Sequence, residues 1–204
     1  VGILQIAVIA IFQFQMLYLY LIVIGYLILM GVEFFVPKWL KERQIIYITS
    51  HMVIIPLIDI YASGLDWLLG GESAHWGLAW FFAVSYMNGL VLEFGRKIRT
   101  PKSEEEGVIS YTGLYGTKGG VVIWILIMFA TLCLAIGATH YANYGSIAYI
   151  ILIAFYALCA IPGFLFIRKP TVKLSKWIEY ASAIWTALMY LSLGGIPMLK
   201  TLIL

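Results

Sequence analysis

The stretch GGVVIWILIMFATLCLAIGATHYANYGSIAYIILIAFYALCAIPGFLFI, residues 119–167, contains no Lys, Arg, Asp or Glu. One transmembrane helix needs about 20 mostly apolar residues to cross the hydrocarbon core of a bilayer. The stretch is long enough for two such helices, so it has to fold back on itself. The small and polar residues from His140 to Gly145 mark the turn. The sequence therefore predicts a transmembrane hairpin with spans at 119–138 and 146–167.

The composition of the whole chain supports a membrane protein. Of its 204 residues, 63% are hydrophobic and only 11% are charged. Soluble domains carry about 25% charged residues, and a soluble domain of this size could not bury so much apolar surface. The composition excludes nucleic-acid-binding modules, disordered chains and disulfide scaffolds. The two cysteines, Cys133 and Cys159, lie in apolar runs and are interpreted as packing residues.

The apolar segments predict an all-α, polytopic transmembrane helix bundle. We expect a partial first segment at 1–12 and a turn at Gln13–Gln15. Six full spans should follow at about 16–35, 45–65, 76–94, 119–138, 146–167 and 178–199. Segment 1–12 would begin inside the membrane, where a charged terminus is costly, and Val1 is not an initiator methionine. We therefore interpret residues 1–204 as a single transmembrane domain, a fragment of a longer bundle that lacks its first spans.

Basic residues occur in alternate loops, which predicts the topology. Lys and Arg favour cytoplasmic loops close to helix ends. Three clusters hold 12 of the 13 basic residues: Lys38, Lys41 and Arg43; then Arg96, Lys97, Arg99, Lys102 and Lys118; then Arg168, Lys169, Lys173 and Lys176. The loops at 66–75 and 139–145 contain none. We predict that the basic loops face the cytoplasm and the other two loops face the opposite side.

Ionisable residues inside the predicted spans are candidate functional residues, because burying them in lipid is costly. His51 and Asp59 lie eight residues apart on one predicted helix and should share a face that points into the bundle. This polar face has either a functional role or an interhelical hydrogen-bonding role. Pro56 should kink the same helix. Glu33 and Glu179 are interpreted as interfacial acids that pair with neighbouring basic residues.

The segment NGLVLEFGRKIRTPKSEEEGVISYTGLYG, residues 88–116, is the richest in chemistry. Asn88 and Glu93 approach the end of a predicted span, and three basic residues follow Glu93 closely. A carboxylate that can hold Mg²⁺ beside cations that can bind phosphate oxygens suits diphosphate binding. The alternative is a solvated loop whose charges only set the membrane orientation.

This segment resembles the UbiA superfamily of membrane prenyltransferases. The second aspartate-rich motif of that family, D-x-x-x-D, precedes a G-x-x-T-L-x-x-x-x-G pattern that leads into the next helix. Glu93 stands at the first Asp of the motif and Lys97 at the closing one. The glycine–hydroxyl–glycine spacing is matched by Gly107, Ser110 and Gly116. A looser match is the loop PKWLKER, residues 37–43, which is similar to a basic loop of the family.

The resemblance implies a bundle of nine transmembrane helices around a central cavity, of which this chain would contain the third, in part, to the ninth. It also implies Mg²⁺-dependent transfer of an isoprenyl group from its diphosphate to an aromatic or lipid-like hydrophobic acceptor. Glu93 would hold the Mg²⁺ ion. The diphosphate would be bound by Lys41, Arg43, Asn88, Arg96, Lys97 and Arg99. The alternative function is a transporter or a lipid-binding membrane scaffold without catalysis, in which His51, Asp59 and Glu93 line a solute or proton path.

Overall fold

A computed structural model of the chain describes residues 2–104, 107 and 109–195. Within these ranges the chain forms helices and turns and no strand, which confirms the all-α prediction. In the described part of the chain, five helical segments are long and apolar enough to cross a membrane, at 14–31, 44–67, 77–96, 111–141 and 146–168. They indicate a multi-pass membrane protein. The predicted sixth span, 178–199, extends beyond the described residues, so the number of six full spans stays a prediction.

The helices, in chain order, are α1 (Gly2–Phe12), α2 (Leu17–Gly31), α3 (Pro37–Lys41), α4 (Gln44–Met52), α5 (Ile54–Trp67), α6 (Gly77–Arg96), α7 (Tyr111–Tyr141), α8 (Ser146–Arg168) and α9 (Val172–Tyr190). The chain forms two compact units, residues 1–86 and 87–204. Each unit is described by itself. The prediction of one domain over residues 1–204 therefore stays a prediction.

In the first unit, α2 packs against α5. The predicted turn at Gln13–Gln15 is confirmed: α1 ends at Phe12 and a 3-10 turn spans Phe14–Met16. The side chains of Met16 and Leu19 are buried against α5. Gly64 of α5 permits this contact, because a Cβ atom there would lie 2.8 Å from Leu19 Cδ1. A small residue at a helix contact of this kind is typical of membrane bundles.

A left-handed turn closes α2 earlier than the predicted end at residue 35. Glu33, Phe34 and Phe35 have φ angles of 47°, 54° and 62°, and the left-handed conformation costs L-residues about 1–2 kcal/mol each. The carboxylate of Glu33 lies 3.4 Å from Lys41 Nζ. This contact confirms the predicted pairing of Glu33 with a neighbouring basic loop, and it links the turn to α3.

The span at 44–67 is interrupted where Pro56 predicted a kink. The helix stops at Met52 and resumes at Ile54, because proline has no N–H with which to continue the hydrogen-bond ladder. Two tyrosines supply donors at the break: Tyr86 Oη donates to the Thr49 carbonyl at 3.1 Å, and Tyr26 Oη donates to the Ser50 carbonyl at 2.6 Å. Backbone groups at membrane depth need such partners, because no water is available there.

In the second unit, α8 packs against both α7 and α9. The hairpin predicted around His140–Gly145 is confirmed, since α7 ends at Tyr141 and α8 begins at Ser146. The helical segment α7 begins at Tyr111, where Ser110 caps it by accepting a hydrogen bond from Gly113 N. A break at Gly116, with φ 72° and ψ 161°, separates this first turn from the long transmembrane helix, which therefore starts close to the predicted residue 119. The start of α9 is Val172 instead of 178, because Thr171 caps it in the same way.

Candidate anion-binding site

The candidate site lies at the carboxyl-terminal end of α6, around a carboxylate that holds two cations. Glu93 is buried, with 7% of its surface exposed. Its Oε2 pairs with the Arg96 guanidinium, and its Oε1 lies 2.7 Å from Lys97 Nζ. The spacing explains the pairs, because residues three and four positions apart face each other on a helix. Both oxygens of Glu93 are thus occupied, and the two cations are held at the helix end.

An aromatic pair beneath Lys97 fixes the start of α7 against the end of α6. The rings of Phe94 and Tyr111 stack with centroids 3.9 Å apart, and both side chains are buried. The ammonium of Lys97 lies 5.8 Å from the centre of the Tyr111 ring, a favourable cation–π distance. The backbone N–H of Tyr111 also donates to the Lys97 carbonyl at 3.1 Å. Lys97 is therefore held through both its side chain and its backbone.

The backbone after α6 is fixed by the hydroxyl groups of nearby residues. Thr112 Oγ1 accepts from the N–H of Arg99 at 3.0 Å and donates to its carbonyl at 2.7 Å. Thr100 and Ser103 form a reciprocal capping box around the next 3-10 turn, Pro101–Ser103. The guanidinium of Arg99 donates to the Ser103 carbonyl at 3.5 Å. The position of Arg99 is thus set by the fold and not only by its neighbours in sequence.

A glycine brings the end of α6 into direct contact with α9. A Cβ atom at Gly95 would overlap Ser182 Oγ and would lie 3.3 Å from Trp124 Nε1. Both neighbours are fully buried, and Trp124 Nε1 donates to Ser182 Oγ at 2.9 Å. Because no side chain separates the helices here, the basic segment from Arg96 to Arg99 lies beside the first turns of α9.

The contact leaves a recess of about 420 Å³ between the basic segment and α9. This volume is within the range of small-molecule sites, about 300–1,000 Å³. The recess is lined on one side by the segment from Arg96 to Arg99 together with Ser103, and on the other by Ser175, Lys176 and Glu179 of α9.

Basic side chains predominate in the described lining of the recess. Four cations line it: Arg96, Lys97, Arg99 and Lys176. Within the described residues, Glu179 is the one carboxylate in this lining, and Glu93 lies behind it, where it pairs with Arg96 and Lys97. Guanidinium groups bind phosphate oxygens through paired hydrogen bonds. The recess is therefore suited to a phosphate or diphosphate group.

Lys176 and Glu179 form an ion pair at the recess, with Nζ 2.8 Å from Oε2. The hydrogen bond to Glu179 and the negative charge of that carboxylate raise the pKa of Lys176 above its ordinary value. Lys176 thus stays protonated at neutral pH. The ion pair confirms the interpretation of Glu179 as an acid paired with a basic neighbour, and it places this pair in the recess.

The donors at the end of α6 do not by themselves fit a magnesium site. Mg²⁺ requires near-octahedral oxygen ligands, and Glu93 already shares both of its oxygens with cations. Among the described residues there is no group of three or more His, Cys, Asp or Glu side chains that could hold a metal ion. The role of Glu93 as a ligand for Mg²⁺ stays a prediction from the resemblance.

The other residues predicted to bind the diphosphate are Lys41 and Arg43 of the first unit and Asn88 of α6. Lys41 pairs with Glu33. Arg43 lies over the Trp39 ring, 4.7 Å from its centre. Both belong to the first unit, so their role in the same site stays a prediction. Asn88 is buried in α6 with 1% of its surface exposed, and its side-chain amide has no hydrogen-bond partner within the described ranges.

His51 and Asp59 belong to separate helices on either side of the break at Val53. The imidazole of His51 stacks on Tyr47, with ring centres 4.1 Å apart, and its Nδ1 lies 2.7 Å from the Tyr47 carbonyl. The carboxylate of Asp59 hydrogen-bonds with Ser85, while its Oδ2 is buried without a partner in the described part of the chain. Asp59 of α5 thus contacts Ser85 of α6, and the choice between a functional role and an interhelical hydrogen-bonding role for this face stays open.

Sequence reasoning missed the contribution of α9 to the recess. The basic cluster that contains Lys176 predicts a cytoplasmic loop, and Ser175 belongs to no recognisable motif. The sequence feature that indicates this contribution is the three-residue spacing of Lys176 and Glu179. It predicts an ion pair on a helix surface and hence an earlier start of α9. The contact of this helix turn with Arg96 and Arg99 depends on Gly95, and only the folded chain shows it.

Comparisons of the chain with protein-family models, with curated proteins and with solved structures found no match. The class of the protein therefore comes from the fold itself, which is a multi-pass helical membrane protein with a basic recess at the end of one span. Membership of the UbiA superfamily stays a prediction.

Proposed function

We propose that this protein is a membrane-embedded prenyltransferase-like protein that binds an isoprenyl diphosphate in the basic recess. The observation that carries the proposal is the convergence of cations from α6, the following turn and α9 at the end of an apolar span. An isoprenyl diphosphate has the matching chemistry, with a strongly anionic head and an apolar chain. The acceptor would be an aromatic or lipid-like molecule dissolved in the membrane.

In the proposed reaction, the bond between the allylic carbon of the substrate and its diphosphate oxygen breaks. The electron pair leaves with the diphosphate, the allylic carbon is attacked by the acceptor, and the acceptor loses a proton. Arg96, Lys97 and Arg99 would stabilise the charge that develops on the departing diphosphate. Such stabilisation by fixed charges is often the largest single contribution to catalysis. The resemblance alone implies Lys41 and Arg43 as further residues that bind a diphosphate.

The proposed topology places the recess on the cytoplasmic side. The basic loops would face the cytoplasm because Lys and Arg residues favour that side of the membrane. The bundle would contain six full spans and one partial span, as the apolar segments predict. The isoprenyl chain would then enter from the membrane, while its diphosphate is bound at the cytoplasmic surface.

The ion pairs of Glu93 support a positioning role that differs from the one implied by the resemblance. The buried carboxylate holds Arg96 and Lys97 at the helix end, so cations would neutralise the diphosphate where the family uses a metal. The resemblance instead implies that Glu93 is a ligand for Mg²⁺. A magnesium titration of the Glu93→Gln variant distinguishes the two roles. A positioning role predicts weaker binding with or without Mg²⁺, and a ligand role predicts that the effect of Mg²⁺ on binding disappears.

The test of the proposal is binding of radiolabelled farnesyl diphosphate to the purified protein in detergent micelles. Arg99→Ala should weaken binding by about 1.5–3 kcal/mol for a charged hydrogen bond, which is roughly a tenfold to 150-fold loss of affinity. Lys102 is exposed on the same loop but does not line the recess. Lys102→Ala is therefore the matched control and should bind as the wild type does. Equal binding of farnesyl diphosphate and farnesol would contradict the proposal, because an uncharged head does not need the cations.

The alternative proposal is a transporter, and one observation favours it. Asp59 has a buried carboxylate oxygen without a hydrogen-bond partner among the described residues, and ionisable groups within spans often mark ion or proton paths. The transporter proposal predicts that Asp59→Asn abolishes proton-coupled uptake in vesicles while binding of farnesyl diphosphate is unchanged. The prenyltransferase proposal predicts transfer of the radiolabel from farnesyl diphosphate to a lipid extract.

A further inference from the structure

A second cavity lies on the outer surface of α8 and α9, away from the residues of the basic recess. It is an apolar groove of about 420 Å³. Its rim consists of large side chains that are roughly half exposed, among them Leu158, Leu165, Trp177 and Ile184. The floor is formed by smaller residues, Cys159 and Ala181, which are buried. Large apolar residues at the rim and small residues on the floor suit a hydrocarbon chain as the occupant.

Three basic residues lie in the connection between the two helices, close in sequence to residues that line the groove. Arg168 follows Leu165 by three positions on α8, so it lies on the same face of the helix. Lys173 precedes Trp177 by four positions on α9 and therefore lies beside it. Lys169 stands between them in the sequence, and all three side chains are exposed. Within the described ranges none of the three pairs with a carboxylate.

We infer that this groove is a binding site for an anionic phospholipid, with one acyl chain along α8 and α9 and the phosphate on Arg168, Lys169 and Lys173. The charge of the site selects this occupant. The three cations have no acidic counterpart in the described structure, and their positive charge complements an anionic headgroup. Trp177 at the rim suits the boundary between acyl chains and headgroups, where tryptophan is enriched.

A lipid bound at this site differs from the lipids that ordinarily surround a membrane protein. Lipids that only cover an apolar surface exchange without regard to headgroup charge. A lipid held by both the groove and the basic cluster depends on its charge and on its chain. The site is independent of the proposed prenyl-diphosphate recess, because none of the residues that line the recess lines the groove.

The experiment is a lipid titration of the whole chain, purified in detergent and observed by native mass spectrometry. The probes are dioleoylphosphatidylglycerol, which is anionic, and dioleoylphosphatidylcholine, which is zwitterionic with the same acyl chains. No prenyl diphosphate is present. The wild-type protein should retain one phosphatidylglycerol molecule at concentrations where phosphatidylcholine is lost. Since each basic residue near an anionic lipid contributes about a fivefold change in affinity, Arg168→Gln combined with Lys173→Gln should weaken phosphatidylglycerol binding about 25-fold.

Two further variants test the groove itself. Ala181→Phe fills the floor and should prevent retention of phosphatidylglycerol. Ala157→Phe adds the same ring to an exposed position of α8 that does not line the groove, so it is the matched control and should bind normally. Lys102→Gln removes a cation from a different loop and should also bind normally.

Three results would overturn the inference. The first is equal retention of the two lipids by the wild-type protein. The second is unchanged binding of phosphatidylglycerol by the variant that carries both charge substitutions. This variant keeps the test valid even if Ala181→Phe does not fold. The third is a dimer of the chain that Ala181→Phe disrupts, because a second copy would then occupy the groove.

Discussion

Substitution of Gly95 by alanine tests the contact that forms the basic recess. The new methyl group would overlap the Ser182 hydroxyl and would lie 2.8 Å from Ser182 Cβ. Ser182 and Trp124 are both fully buried, so neither can move into solvent. The end of α6 has to move away from α9, or the hydrogen bond between Trp124 and Ser182 has to break.

The expected loss of stability follows from three contributions. Overpacking a buried contact costs about 1–3 kcal/mol. Loss of the hydrogen bond between Trp124 and Ser182 costs about 0.5–1.5 kcal/mol. The alanine gains about 0.5–1 kcal/mol in helix propensity. We therefore expect Gly95→Ala to lower the free energy of unfolding by about 2 kcal/mol, within a range of roughly 0.5–4 kcal/mol.

The assay is reversible unfolding in mixed micelles at increasing mole fraction of sodium dodecyl sulfate, followed by tryptophan fluorescence. The control is Gly25→Ala in α2, where an added Cβ atom meets nothing within 4 Å. That variant should be stabilised by about 0.5–1 kcal/mol, because alanine is the better helix former. A second variant, Gly95→Ala with Ser182→Gly, removes the overlap and should recover part of the loss.

Two results would refute this reasoning. The first is a Gly95→Ala variant that is as stable as the control, which would mean that α6 and α9 do not approach closely at this residue. The second is an equal loss of stability in the single and double variants, which would exclude the overlap with Ser182 as the cause. Binding of farnesyl diphosphate gives an independent readout, since displacement of α6 would also separate Arg96 and Arg99 from Lys176.

Two further predictions concern other parts of the chain. Tyr86→Phe should lower the free energy of unfolding by about 0.6 kcal/mol, and by no more than about 1.7 kcal/mol, because the Thr49 carbonyl at the helix break loses its donor; Tyr18→Phe, at an exposed tyrosine of α2, is the control in the same unfolding assay. The ion pair of Lys176 and Glu179 should make stability depend on alkaline pH. The pKa of Lys176 is raised in the folded protein. The contribution of the ion pair to stability is therefore complete below the pKa of Lys176 in the unfolded state and is lost as the pH rises through its pKa in the folded state. Thermal unfolding between pH 9 and pH 12 should show this loss in the wild type and not in Glu179→Gln, and identical pH profiles would contradict the assignment.

Much of the fold can be predicted from the sequence because the bilayer imposes simple rules. The absence of charge from 119 to 167 predicts two spans, and the turn residues near Gly145 locate their connection. Pro56 predicts the interruption of the span at 44–67, since its missing N–H has a local effect. Each of these features depends on a short stretch of chain, and the structure confirms them.

The helix boundaries show where local reasoning is weaker. A hydropathy pattern locates the part of a helix that crosses the apolar core, but it does not detect a helix that continues into the polar interface. The first turns of α7 and α9 contain polar residues and begin at hydroxyl caps, Ser110 and Thr171. The hydropathy pattern therefore predicts the start of α9 six residues too late and misses the short helical turn that precedes the break at Gly116 in α7. The cap residues are the signal that corrects both.

The sequence by itself determined that the chain is a helical membrane protein, and it identified Glu93, Arg96, Lys97 and Arg99 as a group, because these residues lie within two turns of one another. Only the tertiary structure decided what that group forms. Gly95 brings Lys176 of a distant helix to the recess at the end of α6, whereas the pairs of Glu93 with Arg96 and Lys97 follow from the helix spacing itself. Contacts between residues far apart in sequence depend on which small residue permits two helices to touch. Hydropathy and charge pattern carry no information about that choice, because they average over the side chains whose individual shapes decide it.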